Sequence, residues 1–350
     1  MKILYAAALS PNDSSVYRLM ALERLGHQVV PLNTSTYMPP YALVGKIALR
    51  LGMGPWVTRL NRDLLRMTQQ ERPDVLWCDK LLWMWPTTLD EIRAEGVVTV
   101  SYVIDNPFGP RGDPGWRLHM KNIPHYDLHA VQRDRNVVEY KDRGARHVIK
   151  IQTAYEPTIH FPPPPGWNDK NRVREVSFIG TPYDNRADFL ARLWKEFRLP
   201  VVVSGNLTLW KAALGAEAHR GIYREHGELF LDRYREGIWN SKINLSFITH
   251  SNLDEFAHKS FEIAGCGGFL LAERSAGHMQ RFLEDEEAVF FSTVEECAEK
   301  IRRYLPDESA RQRIAAAGCA RALRDGYHND RQVGLIIERA GLLGARMRSK

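Results

Sequence analysis

Short apolar runs rich in β-branched residues alternate with polar stretches of helical spacing along the whole chain. Residues 3–8, 27–31, 74–78, 97–104, 128–131 and 147–151 read as strands, and the unbroken run at 97–104 suits an inner parallel strand. Between them lie helical stretches, one at 13–25 opened by Asp13 or Ser14 as N-cap and closed by Gly26, another around 136–143. His160-Phe161-Pro162-Pro163-Pro164-Pro165-Gly166-Trp167 can be neither helix nor inner strand and reads as a stiff interdomain linker. After it the rhythm restarts, with strands at 175–180, 200–204, 243–247, 268–272 and 289–291. The helices of this half are expected at 186–197, 225–239, 294–304 and 309–325, followed by a basic amphipathic stretch at 330–347. A βαβ rhythm that starts twice predicts the α/β class and two Rossmann-like doubly wound domains.

Length agrees, since 350 residues exceed one α/β domain of ordinary size. The apolar start is too soon interrupted by Ser10-Pro11-Asn12-Asp13 for a leader and is read as a first strand. No uncharged apolar run reaches the length of a membrane span. Four cysteines, Cys78, Cys266, Cys297 and Cys319, form no C-x-x-C pair, which suits a reducing cytoplasm and offers no zinc or disulfide pattern. A net charge of +6 permits phosphorylated ligands or an anionic membrane surface but is too small to argue for nucleic acid. The loop after the first strand lacks G-x-G-x-x-G, which argues against a dinucleotide dehydrogenase. Phosphate-loop, zinc-protease and nucleophile-elbow motifs are also missing.

The densest chemistry lies at 254–271, where Asp254 stands eight residues before Glu262 and His258, Lys259 and Ser260 gather between them. The segment reads as a polar loop feeding a helix N-terminus, closed by Cys266-Gly267-Gly268 and followed by an apolar strand. The positive end of the helix dipole attracts an anion, phosphate above all, and a carboxylate one turn in can accept from a pair of sugar hydroxyls. One loop therefore offers groups for both halves of a nucleotide sugar.

This segment resembles the acid-x7-acid signature of group 1 glycosyltransferases of the GT-B type, which place two Rossmann-like domains face to face across a cleft. It is most similar to their spore-maturation-type branch, in whose segment an arginine stands just before Phe-Glu and Ala-Cys-Gly follows. Here Lys259 stands for the usual arginine and Gly265 for the alanine before the cysteine. The resemblance implies a first domain at 1–160 on the acceptor side and a second at 161–328 on the nucleotide-sugar donor side. It also implies a terminal helix at 329–350 that packs back on the first domain. Glu262 would hold the ribose, and the loop from Asp254 to Ser260 the diphosphate and the transferred sugar, with Asp254 counted as catalytic.

Ligands of doubly wound sheets bind beyond the carboxyl ends of the strands. Gly180, Thr181, Asn185 and Arg186 follow the first strand of the second half and resemble the F-x-G-x-x-x-x-N-R stretch of the same branch. Arg186 could pair with a diphosphate, or be a surface arginine beside a glycine turn. Gly205 follows the next strand, and Lys242 lies in a run similar to S-K-I-x-L, as a donor contact or as a charge at the start of a strand. In the first half Asp105 ends the strongest strand. It serves as base to an acceptor hydroxyl if transfer inverts, orients a sugar if transfer retains, or merely caps a turn before Asn106-Pro107. No Asp-x-Asp occurs, so no obligatory metal and no cofactor beyond the donor co-substrate is expected.

Residues 41–67 combine apolar and basic positions at helical spacing, either as a face for an anionic membrane or as an ordinary core-facing helix with solvated Arg and Lys. The expected activity is metal-independent transfer of a sugar from a nucleotide-diphosphate sugar to an acceptor hydroxyl on a glycan, protein or lipid. A sugar-nucleotide epimerase of the same fold and a silent nucleotide-sugar-binding module stand as alternatives. The expected location is the cytoplasm, at or away from the inner face of the membrane.

Overall fold

The computed structural model describes residues 1–39, 41–110, 114–223 and 227–348. The chain divides into two compact units, Met1–Thr153 with Asn329–Lys350, and Ala154–His328. The first carries six parallel strands, β1 (Lys2–Ala7), β2 (Gln28–Asn33), β3 (Val75–Asp79), β4 (Val98–Val103), β5 (Leu128–Val131) and β6 (Val148–Lys150). Their order is β2-β1-β3-β4-β5-β6, so the winding reverses between β1 and β3, where such sheets open a crevice at the carboxyl ends. Every residue of β3 and β4 is buried, which explains why both read as mainly apolar runs with no charge before the terminal Asp79 of β3. One face of the sheet packs on the helix Ser14–Arg24 and on Val333, Ile336, Ile337 and Ala340 of the terminal helix Asn329–Arg348. The other packs on the helices Pro55–Glu71 and Pro86–Ala94.

The second unit has five parallel strands, β7 (Arg174–Ile179), β8 (Val201–Ser204), β9 (Ser241–Ser246), β10 (Leu270–Glu273) and β11 (Val289–Phe291). Their order, β11-β10-β9-β7-β8, reverses between β7 and β9. Leucine, valine and phenylalanine fill both faces, against the helices Arg186–Lys195 and Val294–Tyr304 on one side and Leu231–Trp239 and His258–Gly265 on the other.

Two sequence expectations need correction. Residues 154–160 belong to the second unit, because Tyr155 packs under Gly265 and His160 is buried beside Tyr234. The proline run is likewise no linker. Phe161 and Trp167 bracket the Trp239 ring at 5.6 and 6.0 Å, the Trp167 indole donates to the Trp239 carbonyl, and Pro162 lies against Gly267. The chain passes between units at 153/154 and again at 328/329. The helix expected at 225–239 is observed at Leu231–Trp239, and Glu225 lies outside the described residues. The basic apolar stretch forms two helices, Ala42–Leu51 and Pro55–Glu71, separated where Gly52 and Gly54 take φ of 65° and 128° and Pro55 opens the second.

Candidate functional site

The helix His258–Gly265 begins just beyond β9, at the carboxyl edge of the second sheet. Phe256, one residue before the N-cap Ala257, meets Phe261 four positions into the helix with ring centroids 5.4 Å apart, a hydrophobic staple that sets the angle of approach. At the far end the Gly267 amide donates to the Ala264 carbonyl and the Gly268 amide to that of Ile263, both at 2.9 Å, with Gly267 at φ 63°. This Schellman closure is what the double glycine provides. Gly265 has its own reason, since a Cβ there would fall 2.7 Å from the Tyr155 ring.

Glu262 sits one turn into this helix and is buried. Tyr234 donates its hydroxyl to one carboxylate oxygen at 2.6 Å, and His258 Nε2 lies 3.0 Å from the other. His160 stands 3.8 Å from that second oxygen, and because its Nδ1 accepts from the Glu156 amide, its proton is on Nε2, toward the carboxylate. Burial alone would raise the carboxyl pKa, but His258, His160 and Lys259 outweigh it and hold Glu262 well below the usual carboxylate range. The result is an ionised, oriented carboxylate. Lys259 lies beside it, its ammonium 4.8 Å from the centre of the Tyr234 ring and its pKa lowered by burial, against the pull of Glu262. Its stem lies against Gly180, where a Cβ would come 2.8 Å from Lys259 Cε, so the loop after β7 and the helix start share one patch.

The other expected residues divide. Gly180, Thr181 and Asn185 line the loop between β7 and the next helix, with Asn185 exposed at its N-cap. Asp254 lies in the loop before the helix and accepts from Asn252 Nδ2 at 2.9 Å. Ser260 is fully buried, its hydroxyl 2.9 Å from both Ser246 Oγ and His278 Nε2, which leaves no surface for a ligand. His278 also accepts the Ala257 amide and is held neutral, its pKa pushed down to about 4 by burial. Arg186 is buried too, and its guanidinium donates to the carbonyls of Thr181, Phe247 and Ile248 and to Thr249 Oγ1. It braces the loop after β9 from inside the fold instead of standing ready for a diphosphate. Lys242 opens β9 and lies 3.6 Å from Glu175 near the amino end of β7, so it stands at the wrong edge of the sheet for a ligand at the carboxyl ends.

Gly205 serves the loops themselves. A Cβ there would fall 2.2 Å from the Gly180 carbonyl oxygen and 2.6 Å from Trp210 Nε1, which itself donates to that carbonyl at 2.8 Å. Gly205→Ala should therefore destabilise the second unit by about 1–3 kcal/mol, the range of core overpacking. An unchanged urea midpoint would show that the two loops yield without cost.

Tyr234, His160 and His278 were not singled out from the sequence. Tyr234 lies inside a polar helix and His160 in the proline run, and only the fold brings them within reach of Glu262 and Ser260. In the first unit, Asp105 pairs with Lys80 Nζ at 2.5 Å on the rim of a cavity of about 470 Å³ beyond β1, β3 and β4. Its side chain is 36% exposed, so Asp105 stands on the cavity rim and is not deeply buried.

Residues 186–338, a little under half of the chain, match the family model described as glycosyl transferase-like. No curated protein matches the chain significantly. Among solved structures, the chain is similar to sucrose-phosphate synthase from Thermosynechococcus elongatus, at 10% identity and TM-score 0.67 over 99% of this chain and 100% of that one. It is similar to the UDP-forming α,α-trehalose-phosphate synthase from Burkholderia xenovorans at 14% identity and TM-score 0.65, covering 97% and 99%. The Anabaena protein Alr3699/HepE, solved with UDP and glucose, matches at 13% identity and TM-score 0.63, again over 97% and 99%. These likenesses establish the GT-B fold, two parallel-sheet α/β domains, as expected.

Proposed function

We propose that the protein is a glycosyltransferase that takes a nucleotide-diphosphate sugar as donor and transfers the sugar to an acceptor hydroxyl. The observation that carries this reading is Glu262, a buried, ionised carboxylate one turn into a helix, inside the segment that matches the glycosyl transferase-like family. An ionised carboxylate with both oxygens facing hydroxyl or imidazole donors can exchange those partners for the two hydroxyls of a ribose. Lys259 and the backbone amides of His258 and Lys259, which precede the first intrahelical bond, would neutralise the diphosphate without a metal or cofactor taking part. The two UDP-bearing Anabaena structures support a nucleotide-sugar donor as the class of ligand for this fold.

Within the group we place the chain nearest the spore-maturation-type branch, on Asp254, Glu262 and the Cys266-Gly267 pair. The acceptor is assigned to the cavity of the first unit, where Asp13, Lys80, Trp83 and Asp105 offer charge and a ring face. Asp105 and Asp254 remain the carboxylates assigned to the reaction, Asp105 at the acceptor.

Titration with a panel of nucleosides and their mono- and diphosphates tests the reading. Diphosphates should bind at least tenfold more tightly than the bare nucleosides, a step of about 1.4 kcal/mol that a single charge-assisted contact can supply. A protein that binds no nucleotide, or binds nucleoside and diphosphate equally, does not have this donor site. Donor hydrolysis without acceptor then separates an enzyme from a silent module.

A further inference from the structure

Three large apolar side chains of the helix Ala42–Leu51 point outward. Leu43, Ile47 and Leu51 recur every fourth residue and so share one face, and they are 70%, 51% and 60% exposed. Small residues make contacts on the inward side. Ala48 is buried, Gly52 approaches the Leu118 side chain to within about 3.1 Å of where a Cβ would lie, and the Gly52 carbonyl accepts from the Trp85 indole at 2.9 Å. Met38, Tyr41 and Met53 flank the ridge and are more than half exposed as well. An ordinary surface helix buries its leucines. Contiguous apolar exposure of this kind on a soluble face marks a contact surface.

Charge says what covers it. Residues 41–67 hold Lys46, Arg50, Arg59, Arg62 and Arg66 against a single acid, Asp63. That carboxylate is largely buried and already shared, lying 3.7, 4.0 and 3.4 Å from Arg59, Arg62 and Arg66 while it accepts from the Tyr37 hydroxyl. Arg50 is exposed beside Leu51, at the edge of the ridge. The surface thus pairs an apolar ridge with an uncompensated positive field. That complements a layer of anionic phosphates above an apolar interior.

We propose that the helix Ala42–Leu51, with Met38, Tyr41 and Met53, docks this protein on the surface of an anionic lipid bilayer. Leu43, Ile47 and Leu51 enter the headgroup boundary, and the arginines of this helix and of Pro55–Glu71 face the lipid phosphates. Met38 also lines the cavity beyond β1 and β3, so the docked surface is continuous with that opening. The inference concerns the first unit alone and stands or falls apart from the nucleotide site of the second.

Flotation of the whole chain with vesicles of phosphatidylcholine, and of phosphatidylcholine with phosphatidylglycerol, tests it. The protein should rise with the anionic vesicles at low salt, stay free of the neutral ones, and release as salt screens the arginines. The triple variant Leu43→Ser, Ile47→Ser, Leu51→Ser should lower the bound fraction at least tenfold, and Arg62→Glu should weaken binding while the melting temperature holds. Failure to bind either vesicle, or equal binding by parent and triple variant, overturns the proposal. So does a concentration-dependent dimer that the triple variant abolishes, since a second copy would then be the occupant.

Discussion

Asp79→Ala should lower the stability of the first unit by about 3–5 kcal/mol, the usual cost of stripping one partner from a buried ion pair. Asp79 ends β3 and is buried beside Arg18, whose Nε and Nη2 meet its two oxygens at 2.6 and 3.0 Å. The Tyr5 hydroxyl reaches the same carboxylate at 2.8 Å, and the guanidinium lies 4.4 Å from the centre of the Tyr102 ring. Burial works against the charge on Arg18, yet Asp79, with Tyr102 and Tyr5, more than offsets it and raises the guanidinium pKa above its ordinary value. Alanine would leave that cation in the core with an aromatic face and no carboxylate. In urea the transition of the first unit should move to lower denaturant while that of the second stays in place. A shift below about 1 kcal/mol would mean that water reaches Arg18 and the pair is screened like a surface bridge. The double variant Arg18→Met with Asp79→Leu should recover most of the loss, because replacing both charges removes the desolvation cost together with the attraction.

Glu262→Gln should weaken nucleoside diphosphate binding by at least tenfold, and by as much as about a hundredfold. The glutamine keeps the volume and one acceptor oxygen, so Tyr234 retains a partner and the helix His258–Gly265 keeps its packing. The negative charge is lost, and with it the charge-assisted bonds to a diol, worth about 1.5–3 kcal/mol each. Titration calorimetry on parent and variant reads the difference directly. The loss should be nearly the same for nucleoside and diphosphate, since the residue is assigned to the ribose. Lys259→Met should instead penalise the diphosphate selectively. Equal affinity for parent and Glu262→Gln removes the ribose assignment, and with it the main support for the donor site.

The doubly wound sheets were legible in the sequence because strands buried on both faces leave short uncharged runs dominated by apolar residues, as at 97–104. The motif helix was legible because its ends are local. A double glycine closes it by a rule that needs only neighbouring residues. Long-range partners were not legible. Nothing near Arg186 in sequence announces that the Phe247 and Ile248 carbonyls would accept from its guanidinium, or that His160 and Tyr234 would converge on a carboxylate up to 102 positions away. Lys242 is a different case. It precedes the apolar run of its strand, and the direction of a parallel strand already puts such a residue at the amino edge. The expected domain boundary failed because a proline run suggests a linker wherever it occurs. Here aromatic rings on either side of Trp239 fasten it to the body of the second unit.

The two crossings at 153/154 and 328/329 bear on how the molecule is made. The second unit is an insertion whose ends meet, with the Tyr155 amide bonded to the Tyr327 carbonyl at 3.0 Å and the Tyr155 and His328 rings 6.1 Å apart. On the ribosome the first unit begins to appear earliest, yet the helix that supplies Val333, Ile336 and Ala340 to its core emerges only after the whole of the second. The part of that sheet face not covered by the helix Ser14–Arg24 stays open while some 175 further residues are translated, on the order of ten to thirty seconds at ordinary rates. The inserted unit can complete itself first, so order of synthesis and order of folding run in opposite directions along this chain.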